Sequence, residues 1–284
     1  MSKSFGEILT ATRSSRPLIH SITNYVTAND CANMLFACGA SPCMTDSEDE
    51  VADIVAIAGG LTVNLGTLNR ERFKAMFLAG TEAVRLNKPI VFDPVGAGAS
   101  KSRSASALEF LRSVRPTAIR GNASEIITLN NMLKGSAAQL VGFTRGVDSA
   151  LESLDEASAA AVSLARLTGA VTVVTGAVDV VTDGVFVRYI ENGDEMLTKI
   201  TGSGCMMSSV MTAFLAGSPD EPLDAVTAAV GAVGVCGEMA RDRMSEEDGN
   251  ASFRTYLIDA MFNLDPDDLD ERIDIREVKT NEDN

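Results

Sequence analysis

The feature that most constrains the fold is a regular alternation of short apolar runs with longer amphipathic stretches. The apolar runs are rich in β-branched residues and predict buried strands at 61–65, 89–93, 117–120 and 171–175. Helical spacing predicts helices at roughly 24–38, 69–87, 102–114, 122–131 and 153–168. Such alternation builds βαβ units, so we expect an α/β fold with helices on both faces of a mainly parallel sheet.

The pattern changes after residue 175. Asp183-Gly184 and Asn192-Gly193 are hairpin turn dipeptides around a strand-like run, which predicts antiparallel strands bordering the parallel sheet. The region 204–263 is Ala-rich with helical spacing. Because no change of composition along residues 1–263 marks a linker, we expect these residues to form a single domain. The acidic stretch 264–284 predicts a solvated, partly ordered C-terminal tail.

The bulk composition excludes several classes of function. The 284-residue chain has a formal net charge of −15, which disfavours binding to nucleic acid or to anionic membranes. No apolar run reaches the roughly 18 residues of a membrane helix, and the first residues lack a secretory apolar core. We therefore expect a cytoplasmic protein. The five cysteines include no CxxC pair, so disulfide and zinc frameworks are not expected.

Two candidate sites directly follow predicted strands, where ligands bind in open α/β sheets. Asp93 ends the strand at 89–93 and precedes a glycine-rich turn, and a carboxylate there could hold Mg²⁺ beside phosphates. An ordinary turn aspartate is an equal alternative. Arg120 ends the next strand, with Asn122 and Glu125 after it. Arg120 could reach phosphates and Glu125 could orient Mg²⁺, but Asn122 and Glu125 also have the spacing of a helix capping box.

A glycine-rich turn at 201–205 precedes a predicted helix. Backbone N–H groups at such a helix start can bind developing negative charge, which makes Gly202, Ser203 and Gly204 candidates for an anion site. Cys205 falls in the first turn, where a thiolate is favoured. The alternative is a packed glycine turn. Thr175, at another strand end, could contact a nucleotide, although a plain turn is favoured on local grounds.

The N-terminal block 17–26 contains the sole histidine of the sequence, His20. A lone histidine more often has a structural role than a catalytic one. Asn24 precedes a predicted helix and is by default a helix cap.

Taken together, these segments resemble the hydroxyethylthiazole kinase family of the ribokinase-like superfamily. The resemblance rests on segments in the family order between residues 17 and about 240: HSITNYVTANDCAN, GASPCM, NLGTL, DPVGAGAS, IRGNASEI, GVDS, TGAVD and TGSGCM. Each segment is unspecific by itself, whereas their joint order is highly specific. The resemblance implies a ribokinase-like three-layer α/β/α sandwich.

The resemblance also implies an activity and a set of site residues. The reaction would be ATP-dependent phosphorylation of the hydroxyl of 4-methyl-5-(2-hydroxyethyl)thiazole for thiamine salvage, with Mg²⁺ as cofactor. The implied enzyme is a homotrimer with its sites between subunits. The implied roles are as follows: Asn24, Met44, Gly66 and Gly202 contact the thiazole; Arg120, Thr175, Gly202, Ser203 and Gly204 contact ATP; Asp93 and Glu125 serve the metal; and Cys205 is catalytic.

Three alternatives remain open at the level of the sequence. The chain could phosphorylate another small alcohol on the same fold, although related sugar kinases have Asp at the position of Cys205. It could be a non-catalytic sensor of thiazole or nucleotide. An NAD-dependent oxidoreductase is disfavoured because the sequence contains no GxGxxG fingerprint of dinucleotide-binding folds.

Overall fold

A computed structural model describes residues 3–135 and 153–280. The segment GVDS at 146–149 lies outside the described residues. The helices are α1 Phe5–Ser15, α2 Ala28–Ala37, α3 Val51–Ile57, α4 Arg70–Arg85, α5 Lys101–Ser113, α6 Ala123–Leu133, α7 Leu154–Thr168, α8 Ser203–Gly217, α9 Pro222–Asp242, α10 Asn250–Asn263 and α11 Pro266–Arg272. The strands are β1 Leu18–Ile22, β2 Ser41–Cys43, β3 Gly60–Asn64, β4 Ile90–Asp93, β5 Ala118–Asn122, β6 Val171–Thr175, β7 Asp179–Thr182, β8 Phe186–Ile190 and β9 Ile275–Lys279.

Within the described residues the strands form one nine-stranded sheet in the order β2-β1-β3-β4-β5-β6-β7-β8-β9. The six strands from β2 to β6 in this order are parallel, and β7, β8 and β9 add in antiparallel pairs. The predicted parallel sheet with an antiparallel border is confirmed. All six parallel strands therefore present their carboxyl ends at the same edge, where ligands bind in folds of this kind.

Two apolar cores, one on each face of the sheet, make the fold a three-layer α/β/α sandwich. Successive side chains of a strand point to opposite faces. Phe92 thus packs with residues of α4 and α5 on one face, whereas Val91 packs with residues of α8 and α9 on the other. Burial of strands on both faces explains why their sequences are continuous apolar runs rather than alternating ones.

Helix caps fix where several of the helices begin and end. Asn122 accepts a hydrogen bond from the backbone N–H of Glu125, and Glu125 accepts one from the backbone N–H of Asn122. The predicted capping box at the start of α6 is therefore present. Helix α7 begins at the cap Ser153 and ends at Gly169, whose φ of 75° lies in the left-handed region that favours glycine.

The C-terminal region differs from its prediction. Residues 266–272 form α11 and residues 275–279 form β9, which pairs with β8 along its whole length. Most residues of β9 are exposed, as predicted for this region, but the segment is ordered in a helix and a strand of the sheet. This acidic segment contains an apolar residue, Leu269, that is fully buried. Arg188 of β8 also neutralises part of the negative charge through its ion pair with Glu277, with 2.6 Å between Nε and Oε2. The sheet therefore includes residues beyond 263.

Four N-terminal elements, α1, β1, β2 and α3, were not predicted. Strands β1 and β2 are short, and β1 contains the polar residues His20 and Ser21, which interrupt its apolar pattern. Both side chains are nevertheless buried, because β1 lies between β2 and β3 in the sheet.

Of the helices that the structure describes, α9 is long and apolar enough to cross a membrane by length and composition. It packs instead inside the fold, where 78% of its most apolar window is buried. A core helix of this kind satisfies the same criteria as a membrane helix, so α9 is weak evidence for a membrane span.

Candidate active site

Polar side chains at the carboxyl ends of β3 to β6 form a row that faces the start of α8. Asn64, Asp93 and Arg120 each follow a residue that packs on the opposite face of the sheet. Because successive side chains alternate in direction, these three must point towards α8. The contacts agree, since Ser208 of α8 donates a hydrogen bond of 2.9 Å to Asp93 Oδ2. Asn64 and Asp93 end β3 and β4, whereas Arg120 lies two residues before the end of β5, so that the predicted strand end at residue 120 is wrong. The alternation of side chains in neighbouring strands nevertheless brings the three residues together.

Asp93 is fully buried and lies at the centre of this row. Its Oδ2 accepts hydrogen bonds from Asn64 Nδ2 (2.8 Å) and Ser208 Oγ, and Arg120 Nη1 lies 3.7 Å from it. Burial raises the pKa of Asp93, although Arg120, Ser208 and Asn64 oppose the rise. Its Oδ1 has no hydrogen-bond partner among the residues that the structure describes. A buried carboxylate oxygen without a donor can accept a cation or a proton.

Arg120 connects the row to the N-terminus of α8. Its Nη2 donates a hydrogen bond of 2.6 Å to Thr175 Oγ1 at the end of β6. The guanidinium lies directly against Gly204, where a Cβ atom would overlap Nη1, Nη2 and Cζ. Gly204 therefore allows a positive side chain and the positive end of a helix to meet at one place, which favours binding of a phosphoryl group.

Gly202 is the cap residue of α8 and has a φ of 86°, in the left-handed region. A Cβ atom at this position would also overlap the side chain of Thr27. Both constraints favour glycine. The predicted glycine turn at 201–205 is therefore partly helical, because residues 203–205 form the first turn of α8, at the same edge of the sheet as Asp93 and Arg120.

Two amide side chains surround the sulfur of Cys205. Asn24 Nδ2 and Asn64 Nδ2 each donate a hydrogen bond of 3.3 Å to Cys205 Sγ. Asn24 Nδ2 also donates to Asn64 Oδ1 at 3.2 Å, so that the two amides are linked to each other. Through Asn64 this network continues to Asp93, which links the thiol to the carboxylate.

The thiolate expected at Cys205 is contradicted by this environment. Burial and the nearby Asp93 carboxylate raise the pKa of the Cys205 thiol, although Arg120, Thr27 and Asn24 oppose the rise. Position in the first turn of a helix is therefore not sufficient for a thiolate, because burial and a nearby carboxylate both disfavour the charged form. Cys205 is a neutral thiol near pH 7, which disfavours a role as general base.

Glu125 is part of the capping box of α6 and also places a buried acidic group near Asp93. Its Oε1 accepts a hydrogen bond of 2.8 Å from the backbone N–H of Gly96, in the glycine-rich turn after Asp93. Burial raises the pKa of Glu125, and the charge of Asp93 raises it further. Two buried carboxylates that repel each other are stabilised by a cation between them.

These carboxylates fit a magnesium ion whose coordination shell is completed by water and substrate. In the parts of the chain covered by the structure, no cluster of three or more His, Cys, Asp or Glu side chains could hold a metal ion. Mg²⁺ at kinase sites commonly takes only one or two carboxylates and completes its shell with water and substrate phosphates. The unpartnered Oδ1 of Asp93 matches this donor set.

Three of the four predicted thiazole-binding residues follow three adjacent strands, β1, β2 and β3, whereas the fourth, Gly202, is the cap residue of α8. Asn24 does not cap α2. Its Oδ1 accepts hydrogen bonds from the backbone N–H groups of Val26 and Thr27, each at 3.1 Å, which leaves Nδ2 directed at Cys205. Gly66 is buried against Asn24, since a Cβ atom at Gly66 would lie 2.7 Å from Asn24 Cβ. Met44 follows β2 and is partly buried.

Two residues of this network, Asn64 and Ser208, were missed in the sequence. Asn64 ends β3 just as Asp93 ends β4, and the two are paired in the register of the sheet. Its position at a strand end was the signal that could have identified it. Ser208 lies one helical turn after Gly204 in α8, and its hydroxyl is within hydrogen-bond distance of Asp93 Oδ2 and of Gly204 O. Its separation from Asp93 along the chain left no local signal.

An arginine, two buried carboxylates and a helix N-terminus at the carboxyl edge of this sheet define a small-molecule kinase of the ribokinase-like class. The fold agrees, since pyridoxal kinase from Staphylococcus aureus, solved in complex with ADP, superposes with a TM-score of 0.62 at 14% identity and covers 93% of this chain and 98% of its own. A sequence model of the Hydroxyethylthiazole kinase family matches residues 9–267. The chain belongs to this family.

Individual relatives agree along nearly the whole chain. The hydroxyethylthiazole kinase of Clostridium acetobutylicum is 45% identical over 271 residues, which cover 93% of this chain and 96% of that protein. The corresponding kinase of Methanocella arvoryzae is 44% identical and covers 96% and 98%. The structure of a hydroxyethylthiazole kinase from Pyrococcus horikoshii OT3 superposes with a TM-score of 0.85 at 35% identity, covering 96% and 98%. The predicted family, fold class and kinase activity are confirmed.

Proposed function

We propose that this chain transfers the γ-phosphoryl group of ATP to the hydroxyl of 4-methyl-5-(2-hydroxyethyl)thiazole, a step of thiamine salvage. The observation that carries the proposal is the meeting of Arg120, Asp93 and the first turn of α8 at one edge of the sheet. The names of the relatives support the thiazole alcohol as acceptor. The ADP complex of the pyridoxal kinase with the same fold supports an adenine nucleotide as donor.

The phosphate end of ATP would bind at the start of α8. Arg120 and the backbone N–H groups of Ser203, Gly204 and Cys205 would neutralise the charge on the γ-phosphoryl oxygens, while Thr175 holds the guanidinium in place. Phosphoryl transfer depends mainly on positioning and on charge stabilisation, because its transition state is loose. These groups are already assembled by the fold.

The alcohol would bind beside Asn24, Met44, Gly66 and Gly202, with its hydroxyl near Cys205. The hydroxyl oxygen forms a bond to the γ-phosphorus as the bond from that phosphorus to the β–γ bridging oxygen breaks, and ADP leaves. The hydroxyl proton would depart late in a loose transition state, to water or to an oxygen of the transferred phosphoryl group, so a strong base is not required. The neutral thiol of Cys205 would then orient the alcohol rather than remove its proton.

Asp93 and Glu125 would hold Mg²⁺, directly or through water. The ion would supply charge neutralisation between the β- and γ-phosphates.

A homotrimer with sites between subunits is part of the proposal. Tyr25 and Val26 follow Asn24 directly, and the two residues are 65% and 64% exposed. An apolar pair beside the alcohol pocket is a surface that a second copy of the chain would cover. Sedimentation analysis should therefore give three times the mass of the 29.9 kDa chain.

ATP consumption by the purified protein with Mg²⁺, with and without the thiazole alcohol, tests the proposed function at low and high salt. We expect consumption that depends on the alcohol, and a large loss for Arg120→Met. Arg112→Met is a matched control, because Arg112 is exposed on α5. Turnover with a different alcohol alone would refute the substrate, and binding without turnover would favour a sensor.

A further inference from the structure

Arg72, in the first turn of α4, is a buried cation outside the phosphate site. Only 5% of its side chain is exposed. Burying a guanidinium is costly unless its donors are satisfied and its charge is paired. Its neighbours therefore indicate what the burial achieves.

The guanidinium contacts three separate loops. Nη2 donates to the backbone carbonyl of Thr23 after β1, and Nη1 donates a hydrogen bond of 2.9 Å to Thr67 Oγ1 after β3. Nε lies 2.8 Å from Asp46 Oδ2 after β2, an ion-pair contact that is too far off the N–H axis to be a hydrogen bond. The ring of Tyr25 covers the guanidinium, with 4.2 Å between the ring centroid and Arg72 Cζ.

Each of these loops also carries one proposed contact of the alcohol. Thr23 precedes Asn24, Asp46 lies two residues after Met44, and Thr67 follows Gly66. Because β2, β1 and β3 are parallel neighbours in the sheet, their carboxyl ends lie side by side at the same edge of the sheet. One side chain therefore connects the three segments that would shape the alcohol pocket, while the phosphate site lies on β4, β5 and α8.

We propose that Arg72 is a positioning residue that preorganises the pocket for the alcohol substrate. The proposal rests on the proposed function, because the alcohol contacts are part of it. Arg72 touches neither reacting group and acts through the backbone of the three loops. Holding loops in their binding conformation before the substrate arrives reduces the entropy cost of binding.

The conformation of Thr67 supports this role. Its φ of 48° is in the left-handed region, which is unfavourable for a β-branched residue. Arg72 Nη1 and the backbone N–H of Tyr25 both donate to Thr67 Oγ1, the second at 3.3 Å, and so hold it there. Loss of the guanidinium would release Thr67 and, with it, the adjacent Gly66 that packs on Asn24.

Steady-state kinetics of Arg72→Met, Arg72→Lys and Asp46→Asn test the proposal, with both Michaelis constants measured for each variant. Arg72→Met should raise KM for the thiazole alcohol by about 10-fold or more, and leave KM for ATP within about twofold. Arg72→Lys should recover part of the loss, because lysine keeps the charge but not the fork of donors. Arg85→Met on the same helix is the control, since Arg85 is 65% exposed and should change neither constant.

An unchanged KM for the alcohol in folded Arg72→Met would overturn the proposal, even if thermal stability fell, and so would an equal rise of both constants. If Arg72→Met does not fold, Arg72→Lys and Asp46→Asn decide by the same split. A wild type that does not phosphorylate the thiazole alcohol would refute the proposed function instead. Calorimetric binding of the alcohol to wild type and variants would then decide the role of Arg72 separately.

Discussion

Gly204→Ala tests the position of the Arg120 guanidinium, because it displaces this group without replacing the arginine. A Cβ atom at residue 204 would overlap the guanidinium of Arg120, which is the flexible end of its side chain. Alanine is also a better helix residue than glycine. The chain should therefore fold normally, while Arg120 must retreat by roughly 1 Å to restore van der Waals contact.

This retreat should be expensive for catalysis. The guanidinium now lies 2.6 Å from Thr175 Oγ1 and 3.7 Å from Asp93 Oδ2. A shift of that size breaks the first contact and moves the charge away from the start of α8. Loss of one preorganised group that stabilises transition-state charge typically costs about 3–4 kcal/mol, or about 10²–10³ in kcat. We expect Gly204→Ala to lose kcat within that range.

The assay is steady-state phosphorylation of the thiazole alcohol, combined with urea unfolding. Gly249→Ala is the matched control, because a Cβ atom at Gly249 would have no neighbour within 4 Å among the described residues. Gly204→Ala with wild-type kcat and an unchanged KM for ATP would refute the role of the Arg120 position. A loss of activity with an equal loss of folded protein would refute the claim that the effect is local.

Three further predictions concern other parts of the molecule. Cys205→Ala should lower kcat. Cys205→Asp should retain or raise kcat, because the amides of Asn24 and Asn64 can donate hydrogen bonds to a carboxylate. Full activity of the alanine variant would exclude a role for the thiol. Burial raises the pKa of Asp179 from 3.8 to about 7, so the folded state holds a proton there that the unfolded chain releases, and stability falls as the pH rises between these values. In Asp179→Asn up to about 4 kcal/mol of this fall in unfolding free energy should disappear above pH 7. If the unfolding free energies of variant and wild type, measured with urea, changed with pH in parallel across this range, the raised pKa of Asp179 would be contradicted. Leu269→Ala should cost about 2–5 kcal/mol in urea unfolding because Leu269 is fully buried, whereas a solvated tail would tolerate it as readily as Glu271→Ala.

Local sequence determined much of the architecture. Continuous β-branched runs specify β3 to β6 because a strand buried on both faces can contain few polar residues. The Asn122–Glu125 spacing specified the start of α6 because a capping box is satisfied within four residues. The strand end of Asp93, and the predicted strand end at Arg120, which the structure places two residues before the end of β5, likewise pointed to two residues of the candidate site.

Only the tertiary structure decided how these parts work together. Asp93 meets Ser208 from a distant helix, and Gly204 is required because a side chain of β5 occupies its Cβ position. The ionisation of Cys205 depends on burial and on Asp93, and neither can be read from its place in a helix turn. Arg72 lies within the predicted helix at 69–87, and no local pattern marks its side chain as buried. Contacts between segments far apart in the chain are set by the packing of the whole sheet, which a local pattern does not encode.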